Sequence, residues 1–283
     1  MKTIDTLVED IYSIFDTGIE IPDVLIEELG NNISKTIKER LLSYKTKKES
    51  YLRPSNLGKK DRQLYYELNN YKQEELIPST KIKFLYGDIL EQLLLMFVKL
   101  SGHTVTGEQD KLSIDGVEGS RDCVIDGVTI DIKSASSYSF NKFVDGSIRT
   151  NDAFGYITQL SYYTQGDTNT NQDEAAFLVI DKVTGKICLS KIDFLDIVDV
   201  KERIKEIRKS TNNLNEPPPK CYEDVAVGTS GNRKLSMMCF YCPFKEECWK
   251  DSNDGKGLRK FKYSTGIEYF THVEKEPKVE EII

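Results

Sequence analysis

Two aspartates and a lysine form the pattern in this chain best suited to chemistry. Asp126-Gly127 separates two apolar runs, and an Asp-Gly pair in this position is typical of a two-residue β-hairpin turn. This turn would place Asp122 directly opposite Asp131, with their Cβ atoms about 5 Å apart. Because side chains alternate along a strand, Lys133 shares a face with both carboxylates. The pattern favours a site for a divalent cation and a phosphate-bearing substrate.

The opposite face of the predicted hairpin is apolar and carries Cys123, Ile125, Val128, Ile130 and Ile132. Like charges directly across a hairpin destabilise it. Two interpretations therefore fit the paired carboxylates. Either a metal ion such as Mg²⁺ compensates them, or they lie on a solvated strand face of mixed charge.

Two predicted helices carry further polar candidates. Glu91 lies in an otherwise apolar run, where a lone carboxylate needs a partner such as a metal ion. Its alternative is the solvent face of an amphipathic helix. Gln159 and Tyr163 are four residues apart, so they share one face of a predicted helix. Taken alone, the alternative for this pair is an ordinary surface or core position.

Composition limits the class of protein. The chain has 283 residues, of which 39% are hydrophobic, enough for a sizeable core. Its net charge of −7 excludes a protein that binds nucleic acid through bulk positive charge alone. No apolar run approaches the ~20 residues of a membrane helix, and the N-terminus has no secretory pattern. We therefore expect a cytoplasmic protein with no membrane partner.

Hydrophobic periodicity predicts an α/β fold. The first 80 residues are predicted to be helical, with one helix ending at Gly30. Later helices are predicted at 83–100, 154–163 and 193–210, and strands around 105 and at 112–114, 123–133, 175–181 and 186–192. The expected organisation is a helical N-terminal lobe (1–80), a core (81–216), and a cysteine-bearing C-terminal lobe with a tail (217–283).

The polar candidates form an ordered set: Gly87-x3-Glu91, Asp122, Asp131-x-Lys133 and Gln159-x3-Tyr163. This set resembles the motifs of the PD-(D/E)xK nuclease superfamily. It is most similar to the RecB-type branch, which includes AddAB nuclease domains, CRISPR-adaptation nucleases and many phage exonucleases. The resemblance covers residues 54–249. It implies a restriction-endonuclease-like fold, in which helices flank a mixed central sheet.

The resemblance also implies a role for each residue of the set. The implied ligands of Mg²⁺ or Mn²⁺ are Glu91, Asp122, Asp131 and the main-chain carbonyl of Ile132. Lys133 would position the attacking water, and Gln159 and Tyr163 would contact the substrate backbone or support the catalytic loop. The implied reaction is hydrolysis of DNA phosphodiester bonds, often from an end of a linear single or double strand.

Several basic and aromatic residues are candidates for binding DNA. The basic ones are Arg53, Lys59, Lys60 and Arg62, for which the alternative is a solvated polar loop. The N-terminal helical lobe would form one wall of the DNA channel. Tyr65, Tyr66 and Tyr138 are candidates to stack on single-stranded bases, although core packing is the preferred interpretation for each.

Cysteines cluster near the C-terminus, at Cys221, Cys239, Cys242 and Cys248. In a reducing compartment such a cluster favours metal binding over disulfides. Its C-x2-C-P-x4-C part resembles the cluster-binding end of RecB-type iron–sulfur nucleases, in which an earlier cysteine completes the site. No cysteine precedes Cys123 here, so Cys221 is the preferred fourth ligand and Asp61 the alternative. A [4Fe–4S] cluster is expected first, with zinc or no metal as alternatives.

Together, these expectations predict that the protein is a divalent-metal-dependent DNA exonuclease. It would act in recombination, repair or phage DNA processing, in a bacterial or phage-infected cell. Recombination or helicase proteins are its expected partners. Two alternatives stay open. One is a structure-specific or nicking endonuclease on the same core, and the other is a non-catalytic DNA-binding scaffold subunit.

Overall fold

The computed structural model describes residues 2–46, 50–212 and 216–282, and the chain divides into two compact units. Unit 1 comprises Met1–Gly58 and Leu76–Lys205, and unit 2 comprises Lys59–Glu75 and Glu206–Ile283. The three-part division expected from the sequence stays a prediction. The boundaries of the two compact units do not coincide with those of the three expected parts.

The helices, in chain order, are α1 (Leu7–Thr17), α2 (Asp23–Ser43), α3 (Pro54–Leu57), α4 (Asp61–Leu68), α5 (Pro78–Leu100), α6 (Ser137–Val144), α7 (Tyr156–Gly166), α8 (Val200–Thr211), α9 (Met237–Phe240) and α10 (Lys245–Cys248). The strands are β1 (Val105–Thr106), β2 (Lys111–Ile114), β3 (Val117–Ser120), β4 (Cys123–Ile125), β5 (Val128–Ala135), β6 (Glu174–Asp181), β7 (Ile187–Asp193), β8 (Val225–Ala226), β9 (Arg233–Lys234), β10 (Arg259–Tyr263), β11 (Gly266–His272) and β12 (Glu281–Ile282). Among the described residues, no helix combines the length and hydropathy needed to cross a bilayer.

Unit 1 is built on a mixed five-stranded sheet in the order β1-β4-β5-β6-β7. Strands β5 and β6 run parallel, and the other neighbouring pairs are antiparallel. Apolar residues of α1 and α5 cover one face of the sheet, and those of α6 and α7 cover the other. The α/β fold with a mixed sheet between helices, expected from the sequence, is confirmed.

The hairpin of β4 and β5 has the predicted register. Cys123 pairs with Ile130 and Ile125 with Val128, and Asp126 and Gly127 adopt the positive φ angles that such a turn requires. The predicted apolar face packs into the core beneath α5. The other face is not solvated, since Thr129 and Asp131 are buried on it. The solvated-face interpretation of the hairpin is therefore wrong.

Helix α2 differs from the expectation because it continues through Gly30, where a stop was predicted. Ion pairs to α5 hold both halves of α2. Glu28 lies 2.5 Å from Lys99, and Arg40 makes a bidentate pair with Asp88. These contacts stabilise one long helix despite the low helix propensity of glycine.

A buried histidine ties the N-terminal helix to the β4–β5 turn. His103 Nδ1 lies 2.6 Å from Asp126 Oδ2, and His103 Nε2 lies 3.0 Å from Asp10 Oδ2. Asp10 also pairs with Lys2. Because both ring nitrogens face carboxylates, this contact fixes the orientation of α1 against the hairpin.

Unit 2 contains a second sheet, in the order β12-β10-β11-β9-β8. Its core includes Leu235, Trp249 and Tyr269, packed beside Cys239 and Cys248. The C-terminal segment, expected as a tail, contributes strand β12, which pairs with Lys260 and Phe261 of β10.

Candidate functional site

The acidic residues of the ordered set meet in unit 1. Asp131 lies in the middle of β5 and is 0% exposed. Asp122 immediately precedes β4, and its Oδ2 accepts a hydrogen bond of 2.8 Å from the Ile132 amide. Strand alternation and the hairpin register therefore bring these two carboxylates together, as the sequence predicted.

Glu91 approaches the same place from helix α5. Its Oε1 accepts a hydrogen bond of 3.4 Å from Gln109 Nε2, at the entrance to β2. Helix α5 comes close to β5 at Gly87, where a Cβ atom would lie 3.0 Å from Ser134 Oγ. The small residue of the Gly87-x3-Glu91 motif thus allows the helix to bring Glu91 near the sheet.

The three carboxyl groups are electrostatically strained. Burial, followed by repulsion from Asp122 and Asp131, raises the pKa of Glu91 to about 9. Burial and then Asp131 raise the pKa of Asp122 to about 7. Burial also raises the pKa of Asp131. An added positive charge would relieve this repulsion.

Lys133 supplies part of that charge. Its Nζ lies 2.5 Å from Asp131 Oδ2 and 5.1 Å from the centre of the Tyr156 ring. Burial alone would lower the pKa of Lys133, but Asp131 and Asp122 raise it above its ordinary value. The amine therefore stays protonated at neutral pH.

The donor set fits a hard divalent cation. Both carboxylate oxygens of Asp131 are buried without a well-formed hydrogen bond from any described residue, since the contact with Lys133 is an ion pair of poor hydrogen-bond geometry. Carboxylate oxygens are the ligands that Mg²⁺ and Mn²⁺ prefer. Within residues 2–46, 50–212 and 216–282, no three Asp, Glu, His or Cys side chains are arranged as a preformed metal-binding group. Binding would therefore require the carboxylates to turn and Lys133 to release Asp131.

Glu91 and Asp122 line an open cavity of about 760 Å³. Helix α2 forms one wall of this cavity, with Asn32, Lys35 and Thr36 facing it. Acidic side chains outnumber basic ones on its lining. A phosphate would therefore be repelled from this cavity unless a cation lay between it and the carboxylates.

Helix α7 carries Gln159 and Tyr163, the pair predicted to share one helical face, and Tyr163 lies near the carboxylates of Asp131 and Asp122. Gln159 Nε2 donates a 2.9 Å hydrogen bond to the Tyr163 hydroxyl. Burial raises the pKa of Tyr163, and so do Asp131 and Asp122.

Sequence reasoning missed Tyr156, which lies one helical turn before Gln159 and holds its ring against Lys133. The spacing of three residues would have identified it.

The raised pKa of Glu91 predicts a pH-dependent stability. A carboxyl group that binds its proton more tightly when folded stabilises the protein fully below its unfolded pKa of about 4.5 and loses that contribution as pH rises towards 9. In EDTA, we expect Glu91→Gln to be more stable than the wild type at pH 8.5, by about 2 kcal/mol, and the difference to shrink at pH 5. Urea unfolding at both pH values measures this.

Glu27→Gln on the exposed side of α2 is the matched control for that measurement. It should change stability little at either pH. A stabilising effect of Glu91→Gln that is equal at pH 5 and pH 8.5 would contradict the explanation, because it could not come from ionisation.

The predicted DNA contacts are divided between the units. Arg53 lies in unit 1, where its Nε donates to Ser55 Oγ. Lys59, Lys60 and Arg62 lie in unit 2. Lys59 forms a 2.6 Å ion pair with Glu67, and Lys60 is exposed at the start of α4. As phosphate contacts, all four stay predictions.

The aromatic candidates separate into two groups. Tyr65 and Tyr66 are buried in unit 2, where they pack with Phe244, so core packing is confirmed for both. Tyr138, at the start of α6 in unit 1, is 74% exposed. Core packing is wrong for this residue.

The C-terminal cysteines face one small cavity in unit 2, lined by Cys221, Cys239, Cys242 and Cys248. Burial, and to a smaller extent the neighbouring thiols, raise the pKa of the Cys221 and Cys239 thiols and raise that of Cys242 to about 11. All are free cysteines. The cavity holds about 30 Å³, room for a single small ion.

Helix α4 supplies polar hydrogens to these sulfurs. Arg62 Nε donates to Cys248 Sγ at 3.2 Å, and the backbone amides of Arg62 and Gln63 point to Cys221. Such donors stabilise thiolates bound to metal. Because the four thiols are not arranged as a preformed metal site among the described residues, they would have to move to hold either zinc or a four-iron cluster. Asp61, the alternative ligand, does not line this cavity.

Comparisons with known proteins match the chain to solved structures alone. No protein-family model and no curated protein matches the chain. Among solved structures, a chain described as the crystal structure of SSO0001 is similar to it, with 19% sequence identity and a TM-score of 0.43. The match covers 75% of this chain and 93% of that chain. A likeness this weak carries no argument about function.

Proposed function

We propose that this protein is a divalent-metal-dependent DNA nuclease and that it degrades DNA from an end. The observation that carries this proposal is the buried carboxylate of Asp131. It has no well-formed hydrogen bond from a described residue and lies beside Asp122, Glu91 and Lys133. A buried charge of this kind is costly, which supports a functional reason for keeping it.

Each residue of the candidate site has a separate proposed role in the reaction. Asp131, Asp122 and Glu91 would hold Mg²⁺ or Mn²⁺, and the Ile132 carbonyl is proposed as a further ligand. When bound, such a cation lowers the pKa of a coordinated water and neutralises charge on a phosphate. Lys133 is protonated, so it cannot accept a proton; it would donate hydrogen bonds to the attacking water or the phosphate.

The second part of the proposal concerns unit 2. We propose that the four C-terminal thiols bind a structural metal, as a [4Fe–4S] cluster or as zinc. Their convergence on one cavity and the hydrogen bonds to their sulfurs support this proposal. Hydrolysis requires no electron transfer, so the metal would stabilise the fold of unit 2.

A nuclease assay tests the proposed activity directly. End-labelled linear DNA, single- and double-stranded, is incubated with the protein in Mg²⁺ or Mn²⁺ and in EDTA, beside closed circular DNA. We expect metal-dependent loss of the linear substrates alone. Cleavage of circles would move the protein to the endonuclease alternative, and no cleavage of any substrate would favour a scaffold subunit.

A further inference from the structure

An exposed phenylalanine lies at the edge of the candidate metal site in unit 1. Phe154 is 58% exposed. Its ring centre is 5.5 Å from that of Tyr156, and the Tyr156 ring centre is 5.1 Å from Lys133 Nζ. A single ring therefore separates Phe154 from the amine that faces Asp131.

The backbone around Phe154 is held rigidly. Asp152 accepts hydrogen bonds from the amides of Phe154, Gly155 and Ile157, at 3.3, 2.8 and 2.8 Å. Gly155 has a φ of +76° and packs so closely on Gly58 that a Cβ atom would lie 2.4 Å from the Gly58 Cα. A surface ring on a fixed backbone loses little entropy when a ligand covers it.

Phe154 is also the outer end of a series of aromatic rings. From the core, Phe177 contacts Tyr156 at 6.4 Å between ring centres, and Tyr156 contacts Phe154. A flat aromatic ligand placed on Phe154 would extend this series towards solvent.

The ligand that suits this arrangement combines a flat face with a phosphate. We infer that Phe154 stacks on an unpaired base of the DNA strand whose phosphate reaches the carboxylate site. In a duplex the faces of the bases are covered by their neighbours, so only a single-stranded or frayed end presents them. This inference rests on the proposed nuclease function and adds to it a residue that contacts the substrate, Phe154.

Fluorescence of 2-aminopurine tests the stacking without requiring cleavage. A single-stranded oligonucleotide with this base near its end is titrated with protein in Ca²⁺, and a gel confirms that the strand stays intact. We expect the wild type to quench the fluorescence. Phe154→Ala should bind about tenfold more weakly and quench less, whereas Phe154→Tyr, which keeps a ring, should behave as the wild type.

The matched control is Phe15→Ala, which removes another exposed phenylalanine. Phe15 lies in helix α1, is 66% exposed and packs on Phe97 of α5. It should bind and quench as the wild type does. A second substrate with an abasic site in place of the 2-aminopurine should remove most of the difference in affinity between the wild type and Phe154→Ala, because no base is left to stack.

The outcomes separate the inference from the function on which it rests. If the wild type degrades DNA but Phe154→Ala binds the single strand with unchanged affinity and quenching, the nuclease proposal stands and the stacking inference falls. Equal weakening of Phe154→Ala on the abasic strand would also overturn the stacking. If the wild type neither binds nor cleaves any DNA, the proposed function itself is wrong.

Discussion

Replacing Asp131 by asparagine is expected to lower metal-dependent DNA cleavage by a factor of about a thousand or more. The substitution keeps the shape of the side chain and removes its charge at the point where the carboxylates of β4, β5 and α5 converge. Loss of a metal ligand removes several kcal/mol of transition-state stabilisation, and each 1.4 kcal/mol corresponds to a tenfold change in rate. Cleavage of labelled linear DNA in Mg²⁺ measures the effect.

Asp173→Asn makes the same chemical change on an exposed residue just before β6 and should keep wild-type activity. Thermal unfolding of Asp131→Asn in EDTA should show a folded protein, because asparagine keeps the shape of the side chain and removes a charge that repels Asp122. Substantial cleavage by a folded Asp131→Asn would remove the proposed metal site from the mechanism.

Replacement of Cys242 by serine is expected to release the metal from unit 2 and to destabilise the protein. Structural metals contribute several kcal/mol to the folding of small domains, so we expect the melting temperature to fall by roughly 10 °C. Cys221→Ser should lose metal to the same extent if Cys221 is the fourth ligand. Metal content, measured for iron and for zinc, and the unfolding midpoint check both variants.

Cys188→Ser is the control for the loss of a thiol, since Cys188 lies on β7 in unit 1, outside the group of four. It should keep the full metal content. A brown protein with broad absorbance near ~400 nm would indicate the iron–sulfur cluster, and a colourless zinc protein the alternative. An unchanged melting temperature for Cys242→Ser would show that the thiols bind nothing of structural importance.

Local sequence patterns predicted the parts of the site that depend on local structure. The Asp126-Gly127 turn determines which residues of β4 and β5 face each other, so the pairing and the apolar face could be derived from the chain alone. The helical spacing of Gln159 and Tyr163 likewise placed them together. Whether these residues carry out the proposed chemistry is a prediction that the experiments above test.

Features that depend on distant contacts were not predictable in this way. The burial of Asp131 arises because α6 and α7, later in the chain, cover the second face of the sheet. The continuation of α2 past Gly30 depends on ion pairs with α5, whose partners are 48 residues apart in sequence for Arg40 and Asp88 and 71 for Glu28 and Lys99. His103 looked isolated in the sequence, yet it joins Asp10 and Asp126.

The discontinuity of unit 2 has a consequence for synthesis on the ribosome. Its first segment, Lys59–Glu75, emerges well before its second, Glu206–Ile283, because the whole of Leu76–Lys205 is translated between them. Tyr65 and Tyr66 therefore stay exposed until Phe244, on which they pack in the folded protein, has been synthesised. Domains fold as units, and exposed apolar surface promotes aggregation. We therefore expect the nascent chain to be prone to aggregation during this interval, and slower translation of the intervening segment would prolong it.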